Sequence, residues 1–110
     1  GGEVSRIMLA IKTVFQDVDP VQTLVFDEID SGISGKAAEK VAKQLLQLST
    51  SKQIFCITHL SQIAKKADNH LHISKYVKDG STFVDVKYLN SKEAPKVINQ
   101  MFLGLESVRA

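Results

Sequence analysis

The chain has 110 residues, 44% of them hydrophobic and 24% charged, which is the composition of one ordinary globular unit and too little chain for two domains. Its formal net charge is only +2 and the basic residues are scattered, so charge singles out neither nucleic acid nor a membrane surface as a partner. The longest unbroken apolar run, residues 7–11, is far short of the roughly 18 residues that span a bilayer, so no transmembrane helix is expected.

A single cysteine, Cys56, sits in an apolar run; it reads as a small buried thiol and favours a reducing, cytoplasmic setting. The chain opens Gly1-Gly2-Glu3, without Met and without a basic and apolar leader. No signal peptide is expected, and the sequence reads as a piece of a longer protein.

Along residues 3–16, Val4, Ile7, Met8, Ile11, Val14 and Phe15 recur at three- and four-residue steps, which places them on one face of a helix. Asp19-Pro20 closes that segment. Residues 23–26 form a short β-prone run that ends in two acids, Asp27 and Glu28, and read as a buried parallel strand. A turn rich in Ser and Gly follows over residues 30–35. A second amphipathic helix is expected over 36–49, with Ala38, Val41, Ala42, Leu45 and Leu48 facing inward.

Residues 53–57 form another apolar strand, which ends in Thr58-His59. The two strands flank one helix, so they make a right-handed β-α-β unit with parallel strands in one sheet. Their C-terminal ends then share an edge, where open parallel sheets bind ligands. Asp27, Glu28, Thr58 and His59 should meet there. Beyond them a short helix carries Leu60, Ile63, Ala64 and Ala67 on one face. Leu71 and Ile73, the turn signal Asp79-Gly80, then Val84, Val86 and Tyr88 predict an antiparallel pair. Ala94, Val97, Ile98, Met101, Phe102 and Leu105 predict a last amphipathic helix, with Pro95 tolerated in its first turn.

A strand that ends in Asp-Glu can deliver one carboxylate to a metal ion and the next to a reacting water. Asp27 would hold Mg²⁺ through water, and Glu28 would polarise a water for phosphoryl transfer. Strand-end acids also serve merely to solubilise a strand, and the pair alone does not decide between the two. His59 sharpens the first reading, because an imidazole at the neighbouring strand end can donate to a terminal phosphate. His70 and His72, two residues apart, read as exposed strand residues rather than a metal site, since no Cys or carboxylate stands at ligand spacing.

Gly32-Ile33-Ser34-Gly35-Lys36-Ala37 lies where a phosphate-cradling loop would belong but does not match it. Asp30 occupies the first glycine position, and Ala37 lacks the hydroxyl that would bind Mg²⁺. Gly1 and Gly2 open a helix, so a phosphate could approach its free N–H groups and the positive end of its dipole.

The order of these motifs resembles the ATP-binding-cassette (ABC) ATPases over nearly the whole chain. Gly1-Gly2-Glu3-Val4-Ser5-Arg6 looks like the end of the ABC signature, residues 23–28 like the Walker B strand, Ser31-Gly32-Ile33-Ser34 like the D-loop, and Thr58-His59 like the switch-histidine segment. Within the superfamily, GGEVSRIMLAIK, LVFDEIDSGISGKAA and ITHLSQIAKKAD look closest to the RecN family of bacterial DNA-repair proteins, relatives of the structural-maintenance-of-chromosomes (SMC) ATPases.

The resemblance implies an α/β fold: a partial ABC-ATPase (P-loop NTPase) head lobe with a parallel β-α-β core and a C-terminal antiparallel strand pair. Residues 1–110 would be the C-terminal lobe, with the Walker A lobe and coiled coil elsewhere. ATP and Mg²⁺ are the implied cofactors. Asp27 would organise Mg²⁺, Glu28 would be the catalytic base, and His59 would sense the γ-phosphate. Ser31, Gly32, Ile33 and Ser34 would cross a dimer interface, and Gly1, Gly2 and Glu3 would serve the nucleotide of a second head. The implied partners are the N-terminal lobe of the same protein, a second head in an ATP-dependent homodimer, and DNA through the intact protein, at the bacterial nucleoid and away from membranes. The isolated lobe is expected to be inactive. Other classes remain: another SMC or transporter head, a receiver-type module phosphorylated on Asp27, or a DNA-binding module, for which no helix-turn-helix or aromatic and basic patch speaks.

Overall fold

The computed structural model describes residues 1–103. In chain order the elements are α1 (Gly2–Val14), β1 (Thr23–Phe26), α2 (Gly35–Leu48), β2 (Gln53–Cys56), α3 (Ser61–Ala64), β3 (Leu71–Lys78), β4 (Ser81–Tyr88) and α4 (Glu93–Leu103). No helix among these residues is long and apolar enough to cross a membrane. The last expected position of α4, Leu105, lies outside the described residues.

β1 and β2 pair in parallel, Thr23 opposite Gln53 through Phe26 opposite Cys56, as the β-α-β reading requires. α2 lies across one face of this pair. Its buried residues are Ala38, Val41, Ala42, Leu45 and Leu48, the set its periodicity selects. All of these but Ala38 join Leu9, Phe26, Ile29 and Ile63 in the main core, and Leu24, Ile33, Ile54, Cys56 and Leu60 pack around them. Among the described residues the strands are covered on one side only. Val25 and Phe55 point to the other face and are 66% and 44% exposed, which corrects the expectation of a buried strand. A parallel sheet normally has cover on both faces, and the described residues supply it on one.

α1 forms where its periodicity predicts a helix. Its large apolar stripe, Val4, Ile7, Met8, Ile11 and Val14, is exposed. The opposite side packs inward, with Gly2 and Leu9 buried and Ser5, Arg6, Lys12 and Thr13 half-buried. Those positions also recur every three to four residues, so the helix has two coherent faces. Lys52, buried just before β2, donates from Nζ to the main-chain oxygens of Asp19 and Val21 and holds the turn between α1 and β1.

β3 and β4 form the antiparallel hairpin, with Lys78 opposite Ser81. Its two-residue turn, Asp79-Gly80, has φ of +52° and +77°. Positive φ at both central residues is what a tight hairpin matching the strand twist requires. Tyr76 and Phe83, directly opposite, stack at 5.5 Å.

α3 is a single turn. His70 is not an exposed strand residue. It precedes β3, is buried, and its Nε2 lies 2.6 Å from the Ala64 carbonyl oxygen, which fastens the hairpin's base to α3. His72 is half-buried rather than exposed. α4 starts with a reciprocal cap: Asn90 Oδ1 accepts from the Glu93 N–H at 2.8 Å, and Glu93 Oε1 accepts from the Asn90 N–H at 3.2 Å. Ala64 and Met101, with Val97 and Ile98, make a smaller core between α3 and α4.

Candidate functional site

The register fixes where the candidate residues emerge. Phe26 and Cys56 are the last paired residues, and the Ile57 N–H donates to the Phe26 carbonyl at 3.0 Å. Asp27-Glu28 and Thr58-His59 therefore leave the sheet at the same end, as their strand positions predict. Asp27 and Glu28 are exposed, and neither side chain is tied up by a hydrogen bond or ion pair to another described residue. Glu28 has φ of +59°. A non-glycine residue in that region costs about 1–2 kcal/mol, which persists only where the surroundings impose it.

The surroundings here are the inward face of α1. Ser5 Oγ donates to the Asp27 carbonyl at 2.8 Å, and Arg6 Nη1 donates to the carbonyls of Ile29 at 3.1 Å and Ser31 at 2.7 Å. Gly2 makes this approach possible, since a Cβ there would stand 2.7 Å from the Ser31 carbonyl oxygen and 2.8 Å from that of Glu28. Its lack of a side chain serves the packing of α1 on the loop. Gly1 and Glu3, by contrast, are exposed at the start of α1, where the helix dipole favours an anion. In the loop itself Ser31, Gly32 and Ser34 are exposed, whereas Ile33 packs against the core and anchors the segment.

On the other strand, the organising residue is one the sequence reading passed over. Asp30 is 4% exposed, and its Oδ2 accepts from Thr58 Oγ1 at 2.6 Å and from the His59 N–H at 2.9 Å. His59 Nδ1 lies 2.9 Å from the same oxygen. Thr58 Oγ1 in turn accepts from the Leu60 N–H at 3.0 Å. The turn from β2 to α3 is thus built around a buried carboxylate. Its signal in the sequence was weak: an acid three residues after the strand, between an isoleucine and a serine, reads as an ordinary turn residue.

Cys56, half-buried beneath this edge, has its thiol pushed up to about 12 by burial first and by the charges of Asp30 and Asp27 second. It stays protonated and packs.

The sequence itself compares closely with known proteins. Over 106 residues it is 45% identical to the DNA repair protein RecN of Bacillus subtilis (strain 168), a match that spans 96% of this chain. Over all 110 residues it is 44% identical to RecN of Deinococcus radiodurans. The chain is RecN-like from end to end. It covers 18% and 19% of those two relatives, about a fifth of their length. No protein-family model matches it.

Solved structures agree on the fold. The Smc head domain with coiled coil and joint from Pyrococcus yayanosii superposes with a TM-score of 0.69 at 27% identity, over 91% of this chain and 19% of that one. An SMC ATPase studied for ATP-driven dimerization and DNA-stimulated activation gives 0.64 at 25% identity, over 93% and 61%. The RecN-like chain therefore has the fold of a lobe of an SMC-type ATPase head.

The strand-end acids of this lobe fit the Mg²⁺ that such ATPases use. Mg²⁺ takes one or two carboxylates and completes its shell with water and phosphate oxygens, and Asp27 offers an exposed, uncommitted carboxylate. No group of three or more His, Cys, Asp or Glu among the described residues could cage a metal by itself. An ion at Asp27 would need water or a ligand's oxygens for the rest of its shell.

Proposed function

We propose that residues 1–110 are the C-terminal lobe of the ATPase head of a RecN-like protein acting in repair of DNA double-strand breaks. The observation that carries this reading is the shared edge: two free acids at one strand end beside Thr58-His59 at the next, in a chain that is RecN-like throughout.

In this reading Asp27 holds Mg²⁺ through water, and the bound ion would neutralise phosphate charge and align the leaving group. Glu28, fixed by its backbone conformation, accepts a proton from the attacking water. His59 stands at the neighbouring strand end to meet the terminal phosphate. Gly1, Gly2 and Glu3, at the start of α1, serve a nucleotide bound by a second head, with Gly1 and the first-turn N–H groups as the anion-facing atoms. Ser31, Gly32 and Ser34 reach towards that second head, and Ile33 seats the loop. ATP would then join two heads, and DNA would be engaged by the intact protein in the bacterial cytoplasm at the nucleoid.

The covered and uncovered faces support a missing neighbour. Val4 and Met8 of the outward stripe of α1 line one groove with Val25 on the open side of β1, an apolar surface which the N-terminal lobe of the same protein would cover. The chain alone then neither hydrolyses ATP nor binds it tightly. The test is ATP turnover by this chain alone, by the remainder of the RecN-like protein alone, and by the two mixed. Turnover only in the mixture is expected. Stable phosphorylation of Asp27 by a small phosphodonor in the chain alone would overturn the reading and favour a receiver-type module.

A further inference from the structure

Every main-chain oxygen from Asp27 to Ser31 accepts a hydrogen bond, and the donors come from two places. The loop's own turns supply the Ser31 N–H to the Glu28 oxygen at 3.1 Å and the Ile33 N–H to the Asp30 oxygen at 3.4 Å. α1 supplies the other three: Ser5 Oγ donates to Asp27 at 2.8 Å, and Arg6 Nη1 donates to Ile29 at 3.1 Å and to Ser31 at 2.7 Å. Arg6 is half-buried and pairs with no carboxylate of a described residue, so its bonds to the described residues all end on this loop. The Glu28 side chain has no such tether. It is exposed and makes no hydrogen bond to a described residue, while its backbone holds φ of +59°. Where its carboxylate stands is therefore decided by what holds that backbone.

We infer that Ser5 and Arg6 are positioning residues for Glu28, which fix the place of its carboxylate through the main chain on either side of it. Ser5 holds the residue before Glu28, and Arg6 holds the residue after it and the one that closes the turn, so the left-handed conformation is clamped from both ends. Gly2 lets α1 come close enough, since a Cβ there would stand 2.8 Å from the Glu28 carbonyl oxygen itself. Neither side chain has to touch a substrate to act in this way. A group misplaced by about 1 Å can cost about a hundredfold in rate, so a clamp on the backbone of a base reaches the chemistry. That Glu28 is the base rests on the function proposed above; the clamp on its backbone does not.

Proton NMR of the chain tests the clamp directly. A left-handed residue brings its own N–H and Hα close together, so wild-type Glu28 should give a strong nuclear Overhauser effect between the two. Arg6→Ala and Ser5→Ala each remove donors from α1 and should weaken it as the residue relaxes to negative φ. A weak effect in the wild type, or wild-type strength in every variant that folds, overturns the inference. If Arg6→Ala does not fold, Ser5→Ala, which loses one hydroxyl from a half-buried position, decides alone.

In the full RecN-like protein, Arg6→Ala should lower kcat for ATP by roughly tenfold to a hundredfold with KM little changed. The same substitution made together with Glu28→Gln should lower the residual turnover by less than about threefold, because two residues that act as one unit are not additive. An equal fall in both backgrounds would mark Arg6 as merely structural and overturn the positioning role. Ser5→Ala takes the place of Arg6→Ala in this comparison if the latter does not fold. Wild-type turnover in Glu28→Gln alone would instead defeat the proposed function and leave the backbone clamp to be judged by the NMR result.

Discussion

Arg6 Nη1 donates to the Ser31 carbonyl oxygen at 2.7 Å, so the first turns of α1 hold the loop that carries Glu28. The same atom reaches the Ile29 carbonyl at 3.1 Å. Hydrogen bonds to charged groups contribute about 1.5–3 kcal/mol, and of the two acceptors Ile29 is the buried one. Arg6→Ala should therefore lower stability to urea by about that amount, and Arg6→Lys, which has a donor but no fork, should recover only part. An Arg6→Ala chain as stable as wild type would show that the loop is held some other way.

Gly2 gives a steric counterpart. Alanine there must displace main-chain oxygens at 2.7 Å and 2.8 Å, neither of which can rotate away. Gly2→Ala should lose about 1–3 kcal/mol despite the better helix propensity of alanine. Gly1→Ala, with open space around its added carbon, should stay within about 0.5 kcal/mol. Thermal unfolding of the two variants makes the comparison, and equal Tm values would contradict the close approach.

The two faces of α1 predict opposite responses to truncation. Leu9 has no exposed surface and Ile7 is 61% exposed. Leu9→Ala should cost about 2–5 kcal/mol, whereas Ile7→Ala should cost less than about 0.5 kcal/mol. Urea titration of the chain alone measures both. A large loss for Ile7→Ala would mean that the outward stripe is already covered in solution.

These contrasts show which parts of the fold the sequence made legible. The inward side of α2 was readable residue by residue because it has only one apolar stripe, and the hairpin because Asp79-Gly80 supplies both positive-φ positions its turn needs. α1 was legible as a helix but not in which of its sides packs inward, because periodicity identifies a coherent face without saying which face has a partner. Its inward side is made of Gly2, Ser5 and Arg6, chosen for close approach and hydrogen bonds to a loop rather than for hydrophobicity. Asn90 and Glu93 stand at capping spacing, but their reciprocal bonds emerged only in the structure. Asp30 has no such spacing: its importance lies in contacts with Thr58 and His59, 28 and 29 residues away, and no local pattern encodes them.

Cys56 supplies a pH dependence. Its thiol pKa is raised from 9.0 to about 12 in the fold. Below pH 9 the folded and unfolded chains both keep the proton, and the contribution to stability is complete. Between the two values the unfolded chain loses the proton first, so stability falls as pH rises. Cys56→Ser should flatten that fall, seen as a smaller drop in urea midpoint between pH 8 and pH 10.5. A drop as steep as in the wild type would assign it to other groups.

The central claim is that the free acid at the end of β1 acts as the base in ATP hydrolysis. It is tested most directly by ATP turnover of the full RecN-like protein with Glu28 intact and with Glu28→Gln, which keeps the size of the side chain and removes its basicity. The account predicts a fall in kcat of roughly 10²–10⁴-fold with nucleotide binding retained. Turnover unchanged in Glu28→Gln would contradict it, and would leave the strand-end acids without a part in the chemistry.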